Sequence, residues 1–119
     1  MLLITRHLVS DQADFLETAT EMLSLLSARP GYVAGRVAQA IDEPGLMMIS
    51  MEWSDVGSYR RAYGDFAVRM AAVPLLSSAL DEPSAFQVAV DVTDGTAQRR
   101  DTDMPPAADP DRATRRGRT

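Results

Sequence analysis

The succession of apolar patterns along this chain predicts an α+β fold: a ferredoxin-like β-α-β-β-α-β domain, with a four-stranded antiparallel sheet and both helices on one face. Three observations carry the prediction. Two stretches repeat apolar residues at helical spacing, beginning near Phe15 and Val56. Short β-branched or alternating stretches precede, separate and follow them. The two central strands are joined only by Asp42-Glu43-Pro44-Gly45, a turn sequence that makes them a hairpin.

Residues 2–9 are apolar and short enough for a central strand. Ser10 and Asp11 are N-cap types, and Asp14 and Glu17 add negative charge at the positive end of a helix dipole. Phe15/Leu16, Ala19, Met22/Leu23 and Leu26 then form one buried helical stripe, which Arg29-Pro30-Gly31 stops. Residues 32–41 alternate, and residues 46–53 form the other hairpin strand. A three-residue Glu43-Pro44-Gly45 loop would set Arg36 opposite Glu52 as a salt bridge, and Gly35 opposite Trp53, leaving room beside the indole. Ser54 or Asp55 caps a second helix with the stripe Val56, Tyr59, Tyr63, Phe66, Met70 and Val73, which Pro74 should kink or end. After Asp81-Glu82-Pro83, the alternation of Phe86, Val88, Val90 and Val92 predicts the last strand over 84–92.

The chain has 119 residues, the length of one domain. Residues 1–93 are read as that domain. Residues 94–119, rich in Pro, Asp, Thr and Arg and almost devoid of large apolar groups, are read as a disordered C-terminal tail. There is no cysteine and one histidine, His7, which excludes disulfides, thiolate chemistry and a metal site built from several histidines. All twelve basic residues are Arg, so lysine Schiff-base mechanisms are excluded too. A net charge of −5 without a basic stripe argues against nucleic acid. Neither a long apolar run nor a signal-peptide pattern is present, which gives an expectation of no membrane and a cytoplasmic location.

Helices on one face leave the other face of the sheet to account for. One parity set of the central hairpin is Met47, Ile49, Met51 and Trp53, and the other is Leu46, Met48, Ser50 and Glu52. Neither set suits water, so a homodimer through the sheet face is expected.

The order of elements, with Pro30-Gly31-Tyr32-Val33, Ser50-Met51-Glu52-Trp53-Ser54-Asp55, Tyr59-Arg60 and Pro83-Ser84-Ala85-Phe86, resembles the antibiotic biosynthesis monooxygenase family of dimeric α+β barrels. The resemblance spans residues 2–92 and implies a pocket between sheet and helices. It also implies a cofactor-independent monooxygenase acting on an aromatic or polyketide-like small molecule, without metal or other cofactor, in secondary metabolism. By the same resemblance Trp53 matches the pocket tryptophan at the end of the third strand, and Tyr59 a helix tyrosine, of the anthrone oxygenases. Their asparagine on that strand falls on Ile49, which offers no hydrogen bond. Heme-degrading relatives use a histidine on the second helix, where this chain has Tyr63.

Oxygenation without a cofactor needs a base, donors that hold the substrate anion, and walls that exclude water. His7, whose unperturbed pKa lies near neutrality, is the candidate base, or else a strand histidine in the sheet or at the dimer seam. Trp53 is a stacking platform and N–H donor, a core anchor, or both, and Tyr59 joins it as a catalytic candidate. Tyr63, Phe66, Arg69, Met70 and Phe86 are candidate substrate contacts, with core packing for the stripe and a solvated flank for Arg69 as the alternatives. Two further function classes stay open: a polyketide cyclase or decarboxylase on the same scaffold, and a non-catalytic dimeric ligand-binding protein.

Overall fold

The computed structural model describes residues 1–101. Residues Met1–Phe86 form one unit, and a second begins at Gln87. The first unit contains β1 (Leu2–Leu8), α1 (Gln12–Ser27), β2 (Tyr32–Gln39), β3 (Leu46–Trp53), α2 (Val56–Ala62), α3 (Phe66–Leu76) and β4 (Ala85–Phe86). The strands lie in the order β2-β3-β1-β4, all pairs antiparallel, which is the expected ferredoxin-like arrangement. Among the described residues, no helix is long and apolar enough to cross a membrane.

Alternation decides the core. Leu3, Thr5 and His7 of β1 and Met47, Ile49, Met51 and Trp53 of β3 are all buried, and they sit on one face in register: Leu3 opposite Met51, Thr5 opposite Ile49, His7 opposite Met47. Against them pack Phe15, Ala19, Met22 and Leu26 of α1, the stripe its spacing predicts. The opposite sheet face carries Leu2, Ile4, Arg6 and Leu8 beside Leu46, Met48, Ser50 and Glu52, and Leu8 is 67% exposed.

Each helix starts on an aspartate. The side chains of Asp11, Asp55 and Asp65 accept the backbone N–H of Asp14 (3.0 Å), Ser58 (2.7 Å) and Val68 (3.0 Å), satisfying donors that a helix end leaves free. Asp11 and Asp55 are among the caps the sequence predicts. Asp65 is not, and it changes the second helical segment. The expected single stripe from Val56 to Val73 is cut at Gly64-Asp65, where the N–H groups of Gly64 and Asp65 turn back to the carbonyls of Arg61 and Ala62. α3 restarts there with a new phase that buries Val68, Ala72 and Leu75. Phe66 and Met70, expected on the inner stripe, are therefore 69% and 61% exposed, and Val73 is exposed with them. Pro74 lies inside α3, which runs on to Leu76.

Two hairpin details also depart from the sequence reading. The β2–β3 connection is longer than three residues: Gln39 pairs with Met47, and Leu46 N–H closes a turn on Glu43 C=O at 2.9 Å. The register consequently places Arg36 opposite Ser50 and Gly35 opposite Met51, and Ala34 rather than Arg36 faces Glu52. A bulge between Tyr32 and Ala34 turns Tyr32 inward beside Trp53. The room above Gly35 is filled by that tyrosine: a Cβ at position 35 would stand 2.3 Å from its hydroxyl.

The last strand is shorter than 84–92. Only Ala85 and Phe86 pair with β1, opposite Leu3 and Leu2. In the second unit, β5 (Val90–Thr93) pairs instead with β6 (Thr96–Arg99). The reason lies in Asp94-Gly95: both residues have positive φ (52° and 75°), as a two-residue mirror-image turn demands, and Asp-Gly is a favoured sequence for it. That turn pairs Val90–Thr93 with the residues that follow it. The expected tail thus begins within this hairpin, and its remainder, 102–119, lies outside the described residues.

Candidate active-site cleft

The end of β3 and the start of α2 are fixed by a close approach. Gly31, at φ 90°, accepts the N–H of Ser54 at 2.7 Å, and a Cβ there would lie 2.3 Å from Ser58. Only glycine allows this contact, and it sets the position of α2 and hence of Tyr59.

From this corner an aromatic cluster runs through the core. Tyr32 meets Trp53 edge-on at 5.4 Å between ring centroids, Trp53 meets Tyr59 at 6.1 Å, and Tyr59 meets Tyr63 at 5.1 Å. Trp53 is 1% exposed. Its indole N–H is buried without a hydrogen-bond partner among the described residues, and the buried Tyr63 hydroxyl makes no well-formed hydrogen bond, only an imperfect one with Tyr59. Burial pushes the Tyr63 phenol well above its ordinary pKa, with Tyr59 adding to the effect, so Tyr63 is a donor and not an anion.

Tyr59 is also a wall of a cleft of about 390 Å³ bounded by β1, α2 and the segment after α3, with Thr5, Leu76, Leu80, Glu82 and Ser84 among its other walls. Two backbone bonds hold that segment against β1, Leu80 N–H to Arg6 C=O at 2.8 Å and Ile4 N–H to Ser84 C=O at 2.7 Å. Arg6 adds a two-pronged ion pair to Glu82, Nε to Oε2 at 2.7 Å and Nη2 to Oε1 at 2.6 Å, which holds the Glu82 carboxyl below its ordinary pKa.

His7 sits deeper, 1% exposed, with its ring 5.1 Å from that of Phe15. Its Nδ1 is 3.0 Å from Ser78 Oγ, and its Nε2 is 2.9 Å from Thr5 Oγ1. Ser78 donates its own proton to Leu75 C=O at 2.6 Å. A hydroxyl has one proton, so Nδ1 must carry the hydrogen of the His7–Ser78 bond. Nε2 is then the bare nitrogen, and Thr5 donates to it. Burial lowers the His7 pKa and so favours the neutral ring, while a hydrogen bond with the backbone of Ser78 acts in the opposite direction.

The structure therefore brings Trp53, Tyr59 and Tyr63 together and places His7 one residue behind the cleft wall. Phe66, Arg69 and Met70 lie on the exposed side of α3, and Phe86 is exposed at the sheet edge opposite Leu2. None of these four lines the cleft. Thr5, Ser78 and Tyr32 escaped the sequence reading. Thr5 had a signal, because residues two apart on a strand share a face and His7 was already singled out. Ser78 had none, since only the fold carries it to His7.

No protein-family model matches the chain, and no curated protein does. Solved structures do. The cofactor-independent oxygenase SnoaB from Streptomyces nogalater aligns with a TM-score of 0.60 at 20% identity, over 73% of this chain and 93% of that one. A conserved protein from Methanosarcina mazei aligns with a TM-score of 0.57 at 20% identity, over 71% and 84%. An antibiotic biosynthesis monooxygenase aligns with a TM-score of 0.54 at 18% identity, over 88% of this chain and all (100%) of that one. Matches at this identity speak for the architecture, and the architecture of this chain is that of the antibiotic biosynthesis monooxygenases.

Proposed function

We propose that this protein is a cofactor-independent monooxygenase acting on a small ionisable aromatic, phenolic or polyketide-like, that enters the cleft beside Tyr59. The observation carrying this reading is the Trp53 N–H, buried with no acceptor among the described residues, in an aromatic cluster with the buried Tyr63 hydroxyl whose middle ring, Tyr59, forms the cleft wall. A buried donor left unpaired costs about 1–3 kcal/mol. An enolate or phenolate oxygen placed against that N–H would remove the cost and be stabilised as an anion. The reading requires the Tyr59 ring, which touches both the cleft and the indole, to turn aside for the ligand.

The chemistry follows from what such an anion does. An electron-rich carbanion or phenolate passes an electron to dioxygen, the radical pair combines to a peroxide, and loss of water leaves a carbonyl. In sum a CH2 group and O2 give C=O and H2O, with the substrate supplying the electrons. The protein binds, deprotonates and shields. The likeness to SnoaB supports this reading at the level of fold.

We propose also that two copies pair through the outer sheet face, where Leu8 is exposed and Leu2, Ile4, Leu46 and Met48 are half-buried. Light scattering should give twice the chain mass, and Met48→Asp should reduce it to the monomer. A monomeric wild type overturns the pairing.

Oxygen uptake with a panel of naphthols and anthrones tests the activity. One dioxygen consumed per product, with label from ¹⁸O₂ in the new carbonyl, is expected. Equal turnover without oxygen assigns the protein to acid–base enzymes such as cyclases or decarboxylases, and tight binding without turnover assigns it to ligand carriers. Either result ends the oxygenase reading.

A further inference from the structure

We infer that Thr5 and His7 form a proton-accepting relay for the ligand of this cleft: Thr5 receives the ligand's hydroxyl proton as it passes its own to His7 Nε2. The inference rests on the aromatic-cleft reading above and deepens it. His7 does not line the cleft, so it cannot take a proton directly, but Thr5 does line it and is bonded to His7 Nε2 at 2.9 Å.

The direction of every hydrogen bond in the chain is set from its far end. Leu75 C=O can only accept, so Ser78 donates to it, and Ser78 can then only accept from Nδ1–H. Nε2 is left as a base, and Thr5 must donate to it. A threonine oxygen that has given its hydrogen to Nε2 keeps only lone pairs, and since Thr5 is a cleft wall the inference requires that oxygen to meet a ligand O–H there. The transfer balances without any further reactant. The ligand O–H bond breaks as a new Thr5 O–H bond forms, the former Thr5 proton bonds to Nε2, and the products are a ligand oxyanion and an imidazolium. Afterwards both ring N–H groups have acceptors, Nδ1–H on Ser78 and Nε2–H on Thr5, while the Thr5 hydroxyl points its new hydrogen at the oxyanion. A buried imidazolium is costly alone, and here it forms only together with a nearby anion.

Within the network Phe15 lies tilted against the ring and the remaining partners are hydroxyls and backbone carbonyls; the other titratable groups on the cleft wall are Tyr59, Asp81 and Glu82, and Arg6 holds Glu82 as a carboxylate. A structural histidine would need its nitrogens satisfied but would not need one partner to be a cleft wall.

Because His7 is the single histidine of the chain, long-range ¹H–¹⁵N spectra of the labelled full-length protein report it without ambiguity. The free protein should show Nδ1 protonated and Nε2 bare. Saturation with 4-nitrophenol should protonate both nitrogens while the absorption of the bound nitrophenolate appears. Thr5→Val should bind the phenol but raise its bound pKa by about one unit, a tenfold loss of bound anion at fixed pH. Thr5→Ser should restore the anion. An Nε2–H tautomer in the free protein, or bound nitrophenol with His7 unchanged, overturns the relay and leaves the aromatic cleft standing. Failure of the phenol to bind overturns both. The wild-type spectra decide the matter even if a variant does not fold.

Discussion

Two polar clusters lie on the same buried face of the sheet, and they differ in how their hydrogen bonds close. At one end His7 has both nitrogens bonded, each through a hydroxyl, and the last of those hydroxyls is tied to a backbone carbonyl. At the other, the Trp53 N–H meets no described acceptor and the Tyr63 hydroxyl makes no well-formed hydrogen bond. Proteins pair nearly all buried polar groups, so the second arrangement is the exceptional one. A cluster that closes on itself contributes to stability, whereas one left open costs stability and gains meaning when an acceptor arrives. The cleft runs between them, walled by Thr5 of the first cluster and Tyr59 of the second.

The comparison can be broken most forcefully at Trp53. Replacement by alanine removes a fully buried indole from the cluster and should cost about 3–5 kcal/mol, read as a lower urea midpoint. A smaller cost would mean that the indole packs loosely and that its corner is already a cavity. Next comes Ser78→Ala, which takes from His7 Nδ1 its hydroxyl partner and leaves only the backbone bond with Ser78. A loss of about 1–3 kcal/mol is expected, together with a shift of the ring toward the other tautomer in nitrogen spectra. Tyr63→Phe should do the opposite. It deletes a buried hydroxyl that makes no well-formed hydrogen bond in the free protein, so stability should hold or rise by about 1 kcal/mol while affinity for phenolic ligands falls. Loss of stability in this variant would show that Tyr63 belongs with the closed cluster after all.

The smallest effect concerns pH. Burial lowers the His7 pKa below the ordinary imidazole value of 6.5, so as pH falls the unfolded chain takes up the proton first. The contribution of a neutral His7 is fully present above that ordinary value and is lost as pH drops through the folded-state value. Urea midpoints should fall between about pH 7.5 and 5.5, and His7→Gln should flatten the decline. A midpoint that rises on acidification would contradict a ring held neutral.

Much of this was legible in the sequence, and the failures have a common cause. Local chemistry was read well where a residue acts on its neighbours: Asp11 and Asp55 cap their helices, and Phe15, Ala19, Met22 and Leu26 of the expected stripe are buried, whereas Leu16 at its edge is exposed and Leu23 half-buried. The same kind of reading placed Phe66 and Met70 inward, because a 3–4–3 spacing looks continuous across Gly64-Asp65. The helix instead restarts on Asp65 with a changed phase, and both side chains turn outward. The Asp94-Gly95 turn was present in the sequence, but the longer alternation of Phe86 to Val92 outweighed it. The hairpin register slipped by the length of one loop, and with it the expected partner of Arg36.

By itself, then, the amino-acid sequence determined the β-α-β-β-α-β succession and the caps at Asp11 and Asp55. These follow from periodicity and from hydrogen bonds between residues a few positions apart. Tertiary structure alone decided which parity of β1 and β3 faces the helices, that Ser78 would meet His7, that Thr5 would stand between His7 and a cleft, and that the Trp53 N–H would meet no described acceptor. Each of these depends on residues far apart in the chain, and no local pattern encodes which side chain a buried nitrogen or hydroxyl will meet when strands and helices close over it.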